Sequence, residues 1–210
     1  MAKIPNGFSG FITGKVGNLV YYVRDGKNLV RKIGKNDNPP TEAQLLVRLK
    51  MKVIVQFLKP LLAFINAGFM VKAKGTDKSP YNFAVKYNKG CLMGVYPDIV
   101  IDYSKVILSE GSLMGAEGVE VDWTEEGLRF TWDTGPYTWP DQNDQVMLLA
   151  YFPLEKKAIY LLAGAKRRVG MQVLTIPEDL RGQNAETYVS FVSEDRKCIA
   201  KSKYLGLVTS

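Results

Sequence analysis

The sequence contains no histidine, and its two cysteines, Cys91 and Cys198, lie far apart in a chain of 210 residues. Without an imidazole there is no Ser-His-Asp or Cys-His arrangement, and the commonest general base is missing. Two cysteines without a histidine cannot make a Cys/His zinc site. In a reducing compartment they are expected as two small thiols rather than as a bridge. No purely apolar run is long enough to cross a bilayer, and the opening segment, Met1 to Asn6, lacks the apolar stretch of a secretory signal. The expectation is therefore no cofactor, no metal, no membrane span and cytoplasmic synthesis, with incorporation into a virion or an extracellular assembly left open.

What is present is ordinary globular composition, 46% hydrophobic and 23% charged, enough to build one large or two small cores. The charge is unevenly placed. Residues 1–100 hold 16 Lys/Arg against 5 Asp/Glu, a net +11, whereas residues 101–210 hold 12 against 16, a net −4. This asymmetry predicts a boundary near residue 100 and a polarity along the chain. A basic half favours an anionic partner: nucleic acid, or the acidic face of a neighbouring subunit, including this chain's own C-terminal half.

The start is rich in glycine, with Gly7, Gly10, Gly14 and Gly17. The stretch from Gly10 to Gly17 superficially echoes a phosphate loop, but Lys15 is followed by Val16, the glycine spacing is wrong and a strand follows. The glycines are better suited to an extended arm that turns sharply or passes close to another backbone. Two strand-like runs, Asn18 to Arg24 and Lys27 to Ile33, flank Asp25-Gly26, the preferred pair for a two-residue type I′ turn. That turn sets Tyr22 opposite Leu29 and Tyr21 opposite Val30. Arg24, Lys27, Arg31, Lys32 and Lys35 make the ribbon basic. An isolated hairpin is marginal in water, so this one must pack on the following helix or on another chain.

Asn38-Pro39-Pro40 stops the ribbon. Thr41 and Gln44 fit a capping box, opening a helix from Glu42 to Lys59, where Pro60 ends or kinks it. A second apolar helical piece covers Leu61 to Val71. On the first helix Arg48, Lys52 and Lys59 fall within about 40° of one another. Apolar side chains occupy the rest of its circumference, which predicts a mostly buried helix with a narrow basic stripe. Ser79-Pro80 reads as the N-cap and first residue of a shorter helix reaching Asn88.

From Asp102 onward the period changes to two. The expected strands are 105–109, 119–123, 128–133, 146–152, 158–163, 170–176, 186–192 and 198–207. Turn signals separate them at regular spacing, which argues for an antiparallel sandwich.

The segment Leu128 to Asp133, followed by a Gly-Pro turn, resembles the B strand of a fibronectin type III domain, where a core tryptophan precedes an Asp/Pro turn. Leu180 with Glu186 to Val192 resembles that fold's tyrosine-bearing F strand, at a longer Leu-to-Tyr spacing than usual. The whole chain is also similar to a family of proteins of unknown function from Bacteroidota and their phages. The features that carry this are Gly14 to Asn18, the basic hairpin, Asn38 to Thr41 with Gln44 and Arg48, Tyr81-Asn82-Phe83, and Pro97-Asp98 leading into Leu108 to Gly111. The fold expected is an α+β N-terminal module over residues 1–100, made of a glycine-rich arm, a β-hairpin and helices. An all-β immunoglobulin or fibronectin type III-like sandwich follows over residues 101–210. The resemblance implies no activity and no site.

The favoured role is a non-enzymatic structural or assembly protein acting through contacts with other protein subunits, chiefly by self-association. A phage-type particle or a surface array is the setting expected. The alternative is nucleic-acid binding. For either partner the candidate contact residues are Lys15, Tyr21, Tyr22, Arg24, Lys27, Arg31, Lys32, Lys35, Arg48 and Lys52. An acidic group, Glu117, Glu120, Asp122, Glu125 and Glu126, has residue types suited to glycoside hydrolysis or calcium binding, but it reads more simply as a polar strand-turn-strand edge. Lys166-Arg167-Arg168 reads as a charged hairpin turn. Trp123, Trp132, Trp139 and Tyr137 would suit a sugar-stacking platform, with Trp132 expected in the core instead.

Overall fold

Asp25 and Gly26 both take positive φ, 50° and 73°, as a tight hairpin turn requires. They join strand β2 (Leu19–Arg24) to β3 (Lys27–Lys32). The register is the one the turn dictates, with Tyr22 opposite Leu29 and Tyr21 opposite Val30. A second tight turn at Gly17-Asn18 adds β1 (Gly14–Val16) to the other side of β2, giving the strand order β1-β2-β3. Gly17 has φ 55°, which glycine adopts without penalty. These residues belong to the smaller of two compact units, Met1–Thr41 and Glu42–Ser210. The computed structural model describes residues 10–35, 38–135 and 141–209.

The larger unit begins with helix α1 (Glu42–Leu58), a single 3-10 turn around Pro60, and α2 (Leu62–Ala73). Proline at this point costs a helical hydrogen bond, so the helix tightens and restarts. By length and composition Glu42–Ala73 would span a bilayer. Its side chains Ile54, Phe57, Leu58, Leu61, Phe64, Ile65 and Phe69 are core residues of this unit. The expectation of a mostly buried α1 is corrected. Its buried residues are Ile54, Phe57 and Leu58, all in its last two turns, while Val47, Met51 and Val55 stay exposed. Helix α3 (Pro80–Asn88) starts as expected, with the Ser79 hydroxyl accepting from the Asn82 N–H. A short pair follows, β4 (Leu92–Met93) with β5 (Val100–Ile101).

Seven further strands make two antiparallel sheets. One holds β6 (Glu120–Thr124), β7 (Gly127–Thr131) and β10 (Met171–Thr175), in the order β10-β7-β6. The other holds β8 (Gln145–Phe152), β9 (Lys157–Leu161), β11 (Ala185–Val192) and β12 (Lys203–Val208), in the order β12-β11-β8-β9. Side chains alternate between the faces of β8. Val146, Leu148, Ala150 and Phe152 meet Leu128, Phe130 and Leu174 of the three-stranded sheet. Met147, Leu149 and Tyr151 meet the helices instead. The four-stranded sheet is thus covered on both faces, which is why β8 reads as an almost unbroken apolar run. The chain mixes helices and antiparallel sheets. The charge change near residue 100 falls inside the larger unit, whose helix-side core takes residues from both sides of it.

One sequence expectation is corrected here, and one resemblance is resolved. Residues 105–109 form no strand: Lys105 closes a 3-10 turn, and side chains rather than a neighbouring ladder hold the backbone N–H groups of residues 107–109. The N–H of Ile107 donates to Asn88 Oδ1, and the N–H groups of Leu108 and Ser109 donate to Ser202 Oγ. Tyr188 makes no tyrosine corner with the Leu180 region. Leu180 lies in the core between the sheets, whereas Tyr188 lies on the helix side and donates to the Tyr103 carbonyl at 2.8 Å.

Candidate functional site

The N-terminal sheet sorts most of its side chains by polarity. Residues directly opposite on paired strands share a face, and successive residues alternate. From the register, Val16, Leu19, Tyr21, Val23 and Val30 lie on one face, joined by Asn28 and Lys32. Lys15, Arg24, Lys27 and Arg31 lie on the other, with Val20, Tyr22 and Leu29 between them. None of the described residues up to Thr41 is buried. Val30 is 54% exposed and Val16 is 53% exposed, so apolar surface stands open on a sheet with no interior of its own.

The structure therefore divides the predicted contact residues. Lys15, Tyr22, Arg24, Lys27 and Arg31 come together on the basic face. Tyr21 and Lys32 lie on the apolar face, and Lys35 follows the end of β3. Arg48 and Lys52 are exposed on α1, in the other unit. Arg24 forms an ion pair with Asp25 at 3.7 Å, with both side chains largely in solvent, and such a pair contributes little.

The acidic group gathers around β6 and its turn. Glu120 and Asp122 point outward, and Val121 and Trp123 pack toward the core between the sheets. Asp122 pairs with Arg129 of β7 at 3.4 Å. All five carboxylates, Glu117, Glu120, Asp122, Glu125 and Glu126, are exposed. Among the described residues no cluster of His, Cys, Asp or Glu is arranged to hold a metal ion. Strand β6 ends one sheet and β12 ends the other, and a groove of about 540 Å³ runs between them. Val119, Val121, Trp123, Leu205 and Leu207 line it, with Glu120 and Asp122 also on its walls.

Inside the larger unit the sequence reading missed a buried cation. Arg167 is 1% exposed, not part of an exposed turn. Its guanidinium lies 3.9 Å from the centre of the Phe191 ring and donates to the carbonyls of Met114 and Gly115. It also pairs with Asp144 at 3.3 Å. Burial pushes the Asp144 carboxyl up, against the pull of that guanidinium. Nothing in the triplet Lys166-Arg167-Arg168 marks the middle residue for burial. The main-chain oxygen of Arg167 accepts from the indole of Trp132, which is a core residue as expected. Trp123 is half-buried against the same core, and Trp139 and Tyr137 lie outside the described residues. Both cysteines are free thiols, Cys91 buried and Cys198 exposed.

A family model matches residues 10–206, and its description is a family of unknown function, DUF6266. The chain belongs to that family. No curated protein and no solved structure matches it. The DUF6266 match starts at Gly10 and ends at Gly206 in β12, so it takes in both compact units. The N-terminal sheet is thus part of what defines DUF6266, together with the helices and the two larger sheets.

Proposed function

We propose that this protein is a non-enzymatic assembly subunit that works through contacts with other protein subunits, above all with copies of itself. A phage-type particle or a surface array is the setting this reading favours. The observation that carries it is the N-terminal sheet. It has one apolar face, one basic face and no buried residue among those described, so it offers surface for a partner to cover. We also read the two larger facing sheets as a fibronectin type III-like sandwich. Supporting this are the strand orders β10-β7-β6 and β12-β11-β8-β9, and the core position of Trp132 just after β7. Such a domain serves as a spacer and display unit. Light scattering on the full chain at low salt is expected to give a defined oligomer. A strict monomer over the whole concentration range would overturn the reading.

Nucleic-acid binding is the second reading. It is favoured by the register that puts Lys15, Arg24, Lys27 and Arg31 on one face with Tyr22 among them. Binding of a labelled single-stranded oligonucleotide should then weaken steeply as salt is added. No binding at low salt would end it.

A further inference from the structure

We infer that strand β3 of one chain adds antiparallel to strand β6 of a second copy of this chain, closing the groove between β6 and β12. This rests on the assembly reading and names the surfaces it uses. Both strands end their sheets, so each leaves a row of backbone N–H and C=O groups without a ladder partner among the described residues. The lengths match, six residues in β3 and five in β6. All six residues of β3 are exposed.

Charge makes the two edges complementary. β3 carries Lys27, Arg31 and Lys32, and β6 carries Glu120 and Asp122, with Glu125 in the turn beyond. An antiparallel register that sets Arg31 beside Glu120 also sets Val30 beside Val121 and Leu29 beside Asp122. Lys27 then stands beside Thr124, next to Glu125. The outward row places Arg31 and Lys27 diagonally on either side of Asp122, within reach of a cross-strand ion pair. The inward row brings Val30 over the apolar floor formed by Val121, Leu205 and Leu207, with Asn28 beside Trp123 and Lys32 beside Val119, so that the charge complementarity rests on Lys27 and Arg31.

The same charges disfavour self-matching edges. Antiparallel pairing of β3 with another β3 sets Lys27 against Lys32, and pairing of β6 with another β6 sets Asp122 against itself. Like charges directly opposite are destabilising in a sheet. The favoured contact therefore joins two different surfaces, and each chain carries both. Contacts of that kind propagate head to tail into rings or filaments.

The test uses two charge-reversed full-length chains, Lys27→Glu/Arg31→Glu and Glu120→Lys/Glu125→Lys, each checked for native circular dichroism. The second pair leaves the ion pair of Asp122 and Arg129 in place. Each variant alone opposes like charges and is expected to associate at least about tenfold more weakly than the natural chain in light scattering. An equimolar mixture restores complementarity and is expected to assemble. In a Cys198→Ser background, a Leu29→Cys chain mixed with an Asp122→Cys chain should form a disulfide-linked pair. Association of either variant alone at full strength, or a mixture that stays dissociated, overturns the proposed contact while the assembly reading stands. Oligonucleotide binding lost in Lys27→Glu/Arg31→Glu with the oligomer unchanged assigns the basic face to nucleic acid and likewise overturns it. A natural chain that is monomeric throughout overturns both.

Discussion

Asn88 holds the backbone of Ile107 from both sides: its Nδ2 donates to the Ile107 carbonyl at 2.7 Å and its Oδ1 accepts the Ile107 N–H at 2.8 Å. The same Nδ2 donates to the Ala84 carbonyl one turn back in α3. A side chain on a helix thus does for an extended segment what a neighbouring strand would do. Asn88→Ala strips both partners from Ile107 in a site where Asn88 itself is fully buried. The expected loss is about 2–4 kcal/mol, seen as a lower urea midpoint. Asn88→Asp keeps the acceptor but not the donors, and is also expected to destabilise the fold. If Asn88→Ala shifted the midpoint by less than a tenth, the clasp would not be holding this segment.

The pair of Arg167 and Asp144 gives a second expectation. Arg167→Met leaves the Asp144 carboxylate buried without its cation, at a cost of about 3–5 kcal/mol. Arg167→Met with Asp144→Leu removes both charges and should cost clearly less than the two single changes added together. A double-mutant cycle from chemical denaturation reads the difference. Simple additivity would mean that the two groups do not stabilise each other.

Gly68 in α2 lies directly under the segment held by Asn88. A Cβ added there would overlap the Leu108 carbonyl oxygen and the Ser109 side chain, and the Gly68 carbonyl accepts the Glu110 N–H at 3.2 Å. Gly68→Ala normally favours a helix by about 1 kcal/mol. Here the close approach should reverse the sign, to a net loss of about 1–3 kcal/mol, because the helix and the segment must separate. A raised melting temperature for Gly68→Ala would refute the close approach.

The pH dependence follows from groups between the helices and the four-stranded sheet. Burial pushes the Cys91 thiol from 9.0 up to about 11, and the Tyr103 hydroxyl from 10.0 up to about 12. Burial also raises Tyr188 and Tyr204. In each case the folded chain keeps a proton that the unfolded chain releases. Their contribution is therefore complete below about pH 9 and is lost as pH rises toward about 12. The part of the tyrosinate absorbance that is lost in Tyr→Phe variants at 103, 188 and 204 should rise together with unfolding in that window rather than ahead of it. Ionisation of Tyr103, Tyr188 and Tyr204 near pH 10 in a still-folded chain would contradict the burial.

The N-terminal ribbon was legible because Asp25-Gly26 fixes both turn and register, and Pro60 marked the break between α1 and α2. Most of the strands after residue 118 were legible from turn signals and alternation. Three features were not. The segment 105–109 looks like a strand because its residues suit extended backbone, and its partners, Asn88 and Ser202, are remote in sequence. Arg167 sits between two exposed-looking cations, and its destination depends on carbonyls, a ring and a carboxylate from three other places in the chain. The faces of the basic ribbon follow from register once β1 is added, and no single run of residues announces that third strand. The acidic edge was visible as composition, whereas the groove beside it depends on β6 and β12, more than 70 residues apart, each ending its own sheet.

A sheet with no buried residue has a further consequence for how this protein responds to its own abundance. Opening residues 10–35 exposes little that is not already in water, so the free energy holding them shut must come mainly from whatever covers them. If copies of the chain supply that cover, as proposed above, dilution acts as a denaturant for that unit. Its amide hydrogens should exchange quickly in a dilute sample and slowly in a crowded one, while those of β8 and β11 remain protected in both.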